Sequence, residues 1–344
     1  MRLGLVGYGF GGRTFHAPFV AALGEGVLAG VVTRSPARRT ELASDHPGVP
    51  AFDTLAELLA SGVDVVTIST PPSGRIDLAK QVIDAAVPVI VDKPMAVSLA
   101  EARELVSYAA ERGGGGVPLS VFQNRRWDSE SRTLRAIVRS GAVGDLRTVE
   151  NVLDRWEPEA TADGSGGGQL LDLGSHLVDQ VREALGPADR VFATIDRRPA
   201  DAYEYAFDLV IEHRNGVRSI VASDVLQPDG RPRLRVTGSS GTITLDGLDI
   251  QTEQVLAGLR PGDRGWGVEP HERWGRLTTV DGERRPYPRA DGRWQDFYTG
   301  VRDAVDSRSG GFPVAVEGSL ATFAILEAAR HSDRLGAWVD LSSV

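Results

Sequence analysis

The chain has 344 residues, enough for two domains, and an apolar fraction of 41% that is sufficient for hydrophobic cores. Because it contains no cysteine, disulfides, thiolate metal sites and a cysteine nucleophile are excluded. The net charge of −9 comes from mixed charges, whereas a nucleic-acid-binding surface is basic, so no nucleic-acid partner is expected. No apolar run reaches the roughly 18 residues of a membrane span, and the first residues enter a strand pattern without a signal-peptide pattern. We therefore expect a cytoplasmic globular protein that does not bind membranes.

The first 121 residues alternate between short apolar strands and amphipathic helices. The predicted strands are residues 2–7, 27–33, 63–70, 88–92 and 118–123. The predicted helices are residues 13–23, 36–44, 54–60, 75–86 and 98–112. Apolar strands that alternate with helices are typical of a parallel sheet covered on both faces. Residues 1–121 are therefore predicted to form an α/β Rossmann domain, a doubly wound parallel sheet that binds a dinucleotide at the carboxyl ends of its strands.

A glycine-rich turn joins the first strand to the first helix. Its sequence, GYGFGG, has the spacing G-x-G-x-x-G at Gly7, Gly9 and Gly12. Gly7 permits a tight turn, Gly9 lets a pyrophosphate approach the backbone, and Gly12 allows the helix to pack closely on the strand. The turn could be structural only, but its place between strand and helix favours dinucleotide binding by Gly7, Gly9, Phe10, Gly11 and Gly12.

The end of the second strand bears on the choice between NAD and NADP. An NAD site usually carries Asp or Glu about 20 residues after the glycine motif, to bind the ribose 2′-hydroxyl. This chain has Thr33, Arg34 and Ser35 at that place. A guanidinium with hydroxyl neighbours binds a 2′-phosphate, which a carboxylate would repel. These three residues are predicted cofactor contacts, with NADP(H) favoured and NAD(H) possible. The alternative is that Arg34 is a solvated loop residue.

The sequence after residue 121 is rich in strands linked by short turns. The predicted strands are residues 146–155, 190–196, 203–212, 217–225, 232–238, 241–246 and 337–341. Helices are predicted near residues 128–140, 168–185, 293–307 and 315–333, and residues 250–292 have no clear period. Short turns join antiparallel strands. Residues 122–344 are therefore predicted to form an α+β domain for substrate binding and oligomerisation, with a large open, mainly antiparallel sheet.

Lysine occurs at only two positions, Lys80 and Lys93, although the chain has 38 basic residues. Lys93 directly follows the predicted strand 88–92 and precedes Pro94, at the sheet edge where this architecture binds ligands. Arginine stays protonated, whereas lysine can release a proton or place a compact ammonium beneath a hydroxyl group. Lys93 is therefore a candidate for proton transfer or for binding a substrate oxygen. Lys80 is expected to be a solvated helix residue.

The predicted helix 168–185 carries Asp172, His176 and Asp179 at offsets of four and three residues, which places them on one face. One interpretation is a polar stripe that faces solvent. The other is an imidazole oriented by a carboxylate, able to accept or donate a proton near neutral pH. A metal site needs more ligands than this stripe supplies, so no metal is expected.

Six motifs follow one another along nearly the whole chain. They are GYGFGGRTFHAPF (7–19), STPPSGRIDLA (69–79), VDKPMA (91–96), VFQNRRWD (121–128), DRWEP (154–158) and GGGQLLDLGSHLVD (166–179). Together they resemble the Gfo/Idh/MocA (glucose–fructose oxidoreductase/inositol dehydrogenase) family, and within it the branch of NADP-linked scyllo-inositol dehydrogenases. The resemblance implies that Lys93, Asp172 and His176 are catalytic, and that the protein forms homodimers or homotetramers. It implies cofactor contacts by Thr70, Pro71, Pro72, Lys93 and Pro94, and substrate contacts by Asn124, Arg155, Trp156, Asp172 and His176.

Two stretches differ from the family pattern. Where the family often has T-P-N-x-x-H, this chain has Pro72 and Arg75, so different contacts are expected on the nicotinamide side. Residues 159–165 replace a longer segment that bears Trp and Arg in this branch. One wall of the substrate pocket is therefore expected to be absent or rebuilt.

The resemblance, together with these residues, implies reversible hydride transfer between a nicotinamide and a secondary alcohol carbon of a sugar, inositol or polyol. His176 would accept the hydroxyl proton, Asp172 would orient the imidazole, and Lys93 would bind the same oxygen. Two alternatives are a reductase of C=N or C=C groups and a non-catalytic NAD(P)-sensing regulatory protein. The presence of lysine, aspartate and histidine together favours an enzyme over a sensor.

Overall fold

The structure is a computed structural model that describes residues 1–112, 116–160, 168–200, 202–307 and 311–344. The chain divides into two compact units. The first consists of Met1–Gln123, Thr252–Trp266 and Trp294–Ser319, and the second of Asn124–Gln251, Gly267–Arg293 and Leu320–Val344. Most of the shortened segment, residues 161–165, lies outside the described residues.

Strands of the first unit form a parallel sheet whose side chains are largely buried. They are β1 (Leu3–Val6), β2 (Leu28–Val32), β3 (Ala51–Phe52), β4 (Val65–Ile68), β5 (Val89–Asp92) and β6 (Leu119–Phe122). Their order is β3-β2-β1-β4-β5-β6, and each neighbouring pair is parallel. All residues of β1, β4 and β6 are buried, as expected for strands covered on both faces. The predicted doubly wound sheet is confirmed. The sequence pattern missed β3 because two residues show no period.

Helices connect these strands, and side-chain caps begin three of those described. The helices are α1 (Ala17–Ala21), α2 (Pro36–Asp45), α3 (Leu55–Ala60), α4 (Arg75–Asp84) and α5 (Leu99–Ala110). Ser35, Thr54 and Ser98 accept hydrogen bonds from the backbone N–H three residues later, at the starts of α2, α3 and α5. The helix predicted for 13–23 instead begins as a π-helical turn, Gly12–His16, before α1. Pro18 has no amide hydrogen, so it cannot continue a regular α-helical ladder from the preceding turn.

The second unit contains one large sheet. Its described strands are β7 (Leu146–Val152), β8 (Ala188–Arg197), β9 (Glu204–His213), β10 (Arg218–Asp224), β11 (Leu234–Gly238), β12 (Gly241–Leu245), β13 (Gly275–Thr279), β14 (Arg284–Tyr287) and β15 (Val339–Asp340). Their order is β14-β13-β12-β11-β7-β10-β9-β8-β15. Among these described strands, β7 and β10 are parallel neighbours and the other neighbours are antiparallel. The predicted large, mainly antiparallel sheet is confirmed, and β13 and β14 occupy part of the stretch 250–292.

The remaining described helices are α6 (Ser129–Ser140), α7 (Gln169–Asp172), α8 (Gly174–Leu185), α9 (Gln251–Leu256), α10 (Gln295–Ser307) and α11 (Val316–Leu335). The single helix predicted for 168–185 is divided at Leu173, which ends α7 and precedes α8. A Cβ added to Gly174 would lie 3.2 Å from Leu326 Cδ2 of α11, so the start of α8 packs closely against that helix. No helix among the described residues is both long enough and apolar enough to cross a membrane.

Two stretches beyond residue 122 belong to the first unit, although the predicted boundary assigned them to the second domain. The ring of Trp294 lies 5.7 Å from that of Phe15 and 6.1 Å from that of Phe19. Trp266 lies 5.6 Å from Phe19. Such apolar contacts join residues far apart in sequence and leave no local period, so a continuous division of the sequence could not include them.

Candidate active site

The carboxyl ends of β1, β4 and β5 lie side by side at one edge of the parallel sheet. The strand order reverses at β1, between β2 and β4, and such a switch point is where open α/β sheets bind ligands. Residues 7–12, here called the glycine turn, follow β1; Thr70–Pro72 follow β4, and Lys93 follows β5. The structure thus brings the predicted cofactor loop and the unusual lysine to one edge within the first unit.

Backbone contacts explain the glycines at the two ends of the glycine turn. Gly7 has a φ of +99°, and an added Cβ would lie 2.4 Å from the carbonyl oxygen of Ser69. A Cβ added to Gly12 would lie 2.1 Å from the carbonyl oxygen of Gly7. Neither obstructing atom belongs to a flexible side chain, so glycine is required at both positions. The turn therefore has the close strand-to-helix packing that a pyrophosphate loop needs.

A cavity of about 630 Å³ lies beside the glycine turn. This volume is in the range of small-molecule and cofactor sites. Its walls come from the glycine turn, from α2 and from the segment 252–266, which sequence reasoning left without an outline. The lining residues that bear on function include Phe10, Ser35, Arg38, Leu256 and Arg260. The cavity and the glycine turn together fit a dinucleotide.

Arg38, rather than the predicted Arg34, reaches the glycine turn. Arg38 Nη1 donates a hydrogen bond to the carbonyl oxygen of Tyr8 at 2.5 Å, and a Cβ added to Gly9 would lie 2.9 Å from the same nitrogen. Arg34 is exposed and is absent from the described lining of the cavity. Sequence reasoning missed Arg38, although its position three residues after Ser35 places both on one helical face.

The other two residues predicted at the end of β2 differ in exposure. Thr33 is buried, and its carbonyl oxygen accepts a hydrogen bond from Arg39 Nε at 3.0 Å. Ser35 lines the cavity, and its Oγ accepts a hydrogen bond from the backbone N–H of Arg38 at 3.4 Å. Ser35 is therefore both the cap of α2 and a candidate ligand of the cofactor.

A buried arginine links the segments that follow β4 and β5. Arg75 is 3% exposed, and its Nη1 donates to the carbonyl oxygens of Asp92, at 2.5 Å, and Pro94. Its Nε and Nη2 both donate to the carbonyl oxygen of Thr70, the Nε bond being 3.1 Å long. Burial lowers the pKa of Arg75 from its ordinary value, and the charge of Asp92 opposes that decrease. Arg75, noted in the sequence only as a departure from a family pattern, is thus part of this sheet edge.

The Asp92 carboxylate, next to Lys93, lies in a hydrogen-bonded cluster. It is bonded to His16 Nε2 at 3.1 Å, and it accepts from Ser69 Oγ at 2.9 Å and from the backbone N–H of Lys93 at 2.8 Å. His16 Nδ1 lies 2.6 Å from the Tyr298 hydroxyl. Burial by itself raises the pKa of Asp92, but His16, Arg75 and Ser69 outweigh burial and hold that pKa below its ordinary value. Asp92 therefore remains a carboxylate beside Lys93.

The predicted cofactor contacts in the segments after β4 and β5 differ in exposure. Lys93 is half-buried, and the Lys93–Pro94 peptide bond is cis. Pro94 and Pro72 are buried, Thr70 is half-buried, and Pro71 is exposed. Lys80, by contrast, lies in α4, is half-buried, and pairs with Glu104 at 2.5 Å.

In the second unit, the predicted catalytic pair lies on either side of the break at Leu173. Asp172 is the last residue of α7 and is exposed, whereas His176 lies in the first turn of α8 and is 4% exposed. The side chain of Ser175 adds a hydrogen bond from its Oγ to the carbonyl oxygen of Asp172 at 3.0 Å. The two residues keep the offset of four that the sequence indicated.

The interpretation of this stripe as a solvent-facing surface is wrong for His176 and Asp179, which are buried, whereas Asp172 is exposed. Asp179 is 1% exposed and accepts a bidentate pair of hydrogen bonds from Arg126, through Nε and Nη2, both at 2.7 Å. The Thr322 hydroxyl also lies within 3.4 Å of it. A fully paired carboxylate of this kind holds α8 against the rest of the unit, so Asp179 is not a proton-transfer candidate.

The predicted substrate residues lie in separate parts of the second unit. Asn124 is buried and begins a 3₁₀ helix, Asn124–Trp127. Arg155 is half-buried, and its Nη1 lies 3.4 Å from Glu157 Oε1. Trp156 is 59% exposed and forms a single β-bridge with Leu226, which is also exposed. Trp156 is thus an exposed apolar side chain.

Two further polar residues near Asp172 were missed in the sequence. Gln169 Nε2 donates a hydrogen bond to the Tyr203 hydroxyl at 2.7 Å, and both residues are buried. Burial raises the pKa of Tyr203, and the charge of Asp172 adds to that increase. No spacing signal relates Gln169 to Tyr203, because they lie 34 residues apart.

Comparisons with known proteins agree with this arrangement. Residues 1–117 match the model of the oxidoreductase family with an NAD-binding Rossmann fold, and residues 131–244 match the GFO/IDH/MocA C-terminal domain. An oxidoreductase of Escherichia coli (strain K12), YdgJ, whose function is uncharacterized, is 32% identical over 95% of this chain and 94% of its own. The chain belongs to the Gfo/Idh/MocA family. The predicted family is confirmed, and this Gfo/Idh/MocA protein is an NAD(P)-dependent oxidoreductase.

Two other relatives cover almost the whole of this Gfo/Idh/MocA chain. The scyllo-inositol 2-dehydrogenase (NADP(+)) IolW of Bacillus subtilis (strain 168) is 28% identical over 97% of this chain and 94% of its own. The solved structure of an oxidoreductase from Bacillus subtilis, yvaA, has a TM-score of 0.90 and 27% identity, with 99% of each chain covered. The fold and the family are therefore shared along the full length of these relatives.

Proposed function

We propose that the chain catalyses reversible hydride transfer between the nicotinamide of NADP(H) and a secondary alcohol or ketone carbon of a sugar, an inositol or another polyol. The observation that carries the proposal is the position of Lys93, which follows β5 at the sheet edge where the glycine turn also lies. Similarity to a scyllo-inositol 2-dehydrogenase (NADP(+)) supports the choice of substrate class.

In this proposal, three side chains have different roles in the reaction. In the direction of oxidation, His176 accepts the proton of the substrate hydroxyl on its imidazole. Asp172, four residues earlier, orients that imidazole and stabilises its charged form. Lys93 Nζ donates a hydrogen bond to the same substrate oxygen and stabilises the negative charge that develops there. Bound NADP⁺ supplies the nicotinamide that accepts the hydride.

The charges around the cavity support NADP(H) over NAD(H). The two acidic residues that line it, Glu41 and Asp45, pair with Arg13 at 2.9 and 2.7 Å. Arg38, in contrast, donates its hydrogen bond to a backbone carbonyl oxygen, so its charge is available to a phosphate. Together with the Ser35 hydroxyl and the neighbouring Arg34, it offers the cationic and hydroxyl groups that a 2′-phosphate needs.

We also propose that the protein assembles as a homodimer or homotetramer. The support is the family resemblance, in which open sheets like that of the second unit commonly pair. Sedimentation velocity of the purified protein measures the subunit number directly.

The experiment that tests the activity mixes the purified protein with NADP⁺, and separately with NAD⁺, against a panel of inositols, aldoses and other polyols. Formation of reduced nicotinamide is followed by absorbance. We expect turnover with NADP⁺ and one class of polyol. No turnover with either cofactor, together with clean NADP(H) binding, would replace this proposal by reduction of C=N or C=C groups, or by a sensor function.

A further inference from the structure

We propose that Arg75 is a positioning residue that sets the orientation of Lys93 and couples it to the segment Thr70–Pro72. This inference rests on the proposed function, in which Lys93 binds the reacting oxygen. It goes beyond that function by assigning a role to a residue that departs from the family pattern and that contacts no reacting atom.

The hydrogen bonds of Arg75 connect two segments of the backbone. The acceptors of Arg75 are backbone carbonyl oxygens of Thr70, Asp92 and Pro94, from the segments after β4 and β5. Asp92 and Pro94 are the immediate neighbours of Lys93. One rigid planar group therefore fixes the backbone on both sides of Lys93, so that the direction of its side chain depends on Arg75.

The Asp92 carboxylate has hydrogen-bond partners other than Arg75. His16, Ser69 and the backbone N–H of Lys93 bind its two oxygens. The guanidinium of Arg75 is bonded instead to the carbonyl oxygen of the same residue. Arg75 therefore does not neutralise the Asp92 carboxylate by direct pairing. Its hydrogen bonds fix the backbone instead.

The Arg75 side chain is anchored on a helix and buried. Arg75 is the first residue of α4, so its side chain extends from a helix rather than from a loop. A guanidinium that is 3% exposed loses its hydration, and burial lowers its pKa. Such a group stays buried only if hydrogen bonds replace the lost water. A histidine, with two ring nitrogens, could not donate to three carbonyl oxygens at once. The arginine therefore supplies a connection between two segments that the family's usual side chain does not.

The test uses the fact that Lys80 and Lys93 are the only lysines of the chain. Acylation by acetic anhydride is followed at each lysine by mass spectrometry of peptides, and Lys80 serves as the internal reference. The variants are Arg75→Met, which removes the donors, and Arg75→Gln, which keeps an amide donor and is more easily folded. Arg39→Gln is the matched control, since Arg39 also donates to a strand-end carbonyl oxygen in this unit, that of Thr33.

We expect the ratio of Lys93 to Lys80 labelling rates to rise about tenfold in Arg75→Met, because loss of charge-assisted hydrogen bonds of ordinary strength changes a local equilibrium by at least that factor. A smaller rise is expected in Arg75→Gln and none in Arg39→Gln. An unchanged ratio in a folded Arg75 variant, or equal changes at both lysines, would overturn the proposal. If Arg75→Met does not fold, Arg75→Gln decides. Labelling needs no turnover, so a wild-type protein without dehydrogenase activity would refute the proposed function and leave this result standing.

Discussion

Lys93 combines a rare residue type with an environment that orients it. Its backbone N–H donates to Asp92, whose carboxylate is held by His16 and Ser69, and the carbonyl groups on both sides are bonded to Arg75. An arginine at position 93 would keep the positive charge but would be longer and planar. We therefore expect that charge alone would not be sufficient at this position.

For this reason, we expect Lys93→Arg to reduce kcat/KM by roughly 10²–10⁴-fold, the usual contribution of a positioned acid–base or electrostatic group. The parallel variant His176→Ala should lose activity to a similar extent while its affinity for NADP⁺ stays nearly unchanged. Steady-state kinetics and fluorescence titration of cofactor measure the two quantities. Full activity in Lys93→Arg would show that the lysine has no catalytic role.

Arg38 and Arg34 are two candidate ligands of the 2′-phosphate. Of the two, only Arg38 is in the described lining of the cavity. We expect Arg38→Ala to raise the Kd for NADP⁺ by about tenfold or more, since a hydrogen bond to a charged group contributes roughly 1.5–3 kcal/mol. The Kd for NAD⁺ should change little. Arg34→Ala should have the smaller effect, because Arg34 is absent from the described lining, which includes Arg38. Calorimetric titration with both cofactors decides, and the reverse order would return the assignment to Arg34.

At the scale of elements, close backbone contacts constrain the passage from β1 into the following helix, beside the cavity. β1 ends at Val6, the residue before Gly7, and the π-helical turn Gly12–His16 follows the glycine turn. The carbonyl oxygen of Gly7 fills the place that a side chain on Gly12 would occupy. Gly9 differs, because its nearest obstacle is the end of the flexible Arg38 side chain.

These contacts give the two glycines different expected sensitivities. Gly12→Ala forces a backbone shift, and overpacking of this kind lowers the free energy of unfolding by about 1–3 kcal/mol. Gly9→Ala, the matched control, displaces only a guanidinium and should leave the free energy of unfolding nearly unchanged. Urea denaturation without cofactor measures both. Equal stability of the two variants would contradict the account of the turn.

At the scale of the whole molecule, buried charges stand out in the second unit. Glu130 is 1% exposed and pairs with Arg233 and Arg289, both at 3.0 Å. Burial alone would raise the pKa of Glu130, but the two guanidinium groups hold it below its ordinary value. Asp249 has the opposite shift: burial, and then the charges of Asp128 and Glu130, raise its pKa well above the ordinary value.

The raised pKa of Asp249 predicts a definite dependence of stability on pH. Below the ordinary pKa of Asp, about 3.9, the group is protonated in both states. As the pH rises from there to the higher pKa in the folded protein, the unfolded state loses its proton first and stability falls. Asp249→Asn removes this decrease, so its stability relative to wild type should improve as the pH rises. Urea denaturation across the pH range measures it, and the exposed Asp246→Asn is the control. A constant difference between Asp249→Asn and wild type would refute the assignment.

Local patterns along the sequence were sufficient for the class of the two sheets, the glycine turn and the position of Lys93 after a strand, but not for the strands β3, β13 and β14. The reason is that strand and helix periods, turn residues and strand ends are properties of neighbouring residues. The doubly wound class of the first sheet followed from the alternation of strands and helices, whereas its strand order came from the structure. The resemblance to a family named the class of chemistry. Asp172 and His176 were selected by an offset of four residues, which the break at Leu173 preserved.

Only the tertiary structure decided how distant residues combine. It joined Trp266 and Trp294 to the first unit, paired Asp179 with Arg126 across 53 positions, and aimed Arg38 at the glycine turn. It also showed that Arg75, known from the sequence only as a departure from a motif, forms hydrogen bonds with the segments at the ends of two strands. Each of these outcomes depends on burial and on hydrogen bonds formed after the chain has folded, and such contacts leave no period or spacing in the sequence from which to predict them.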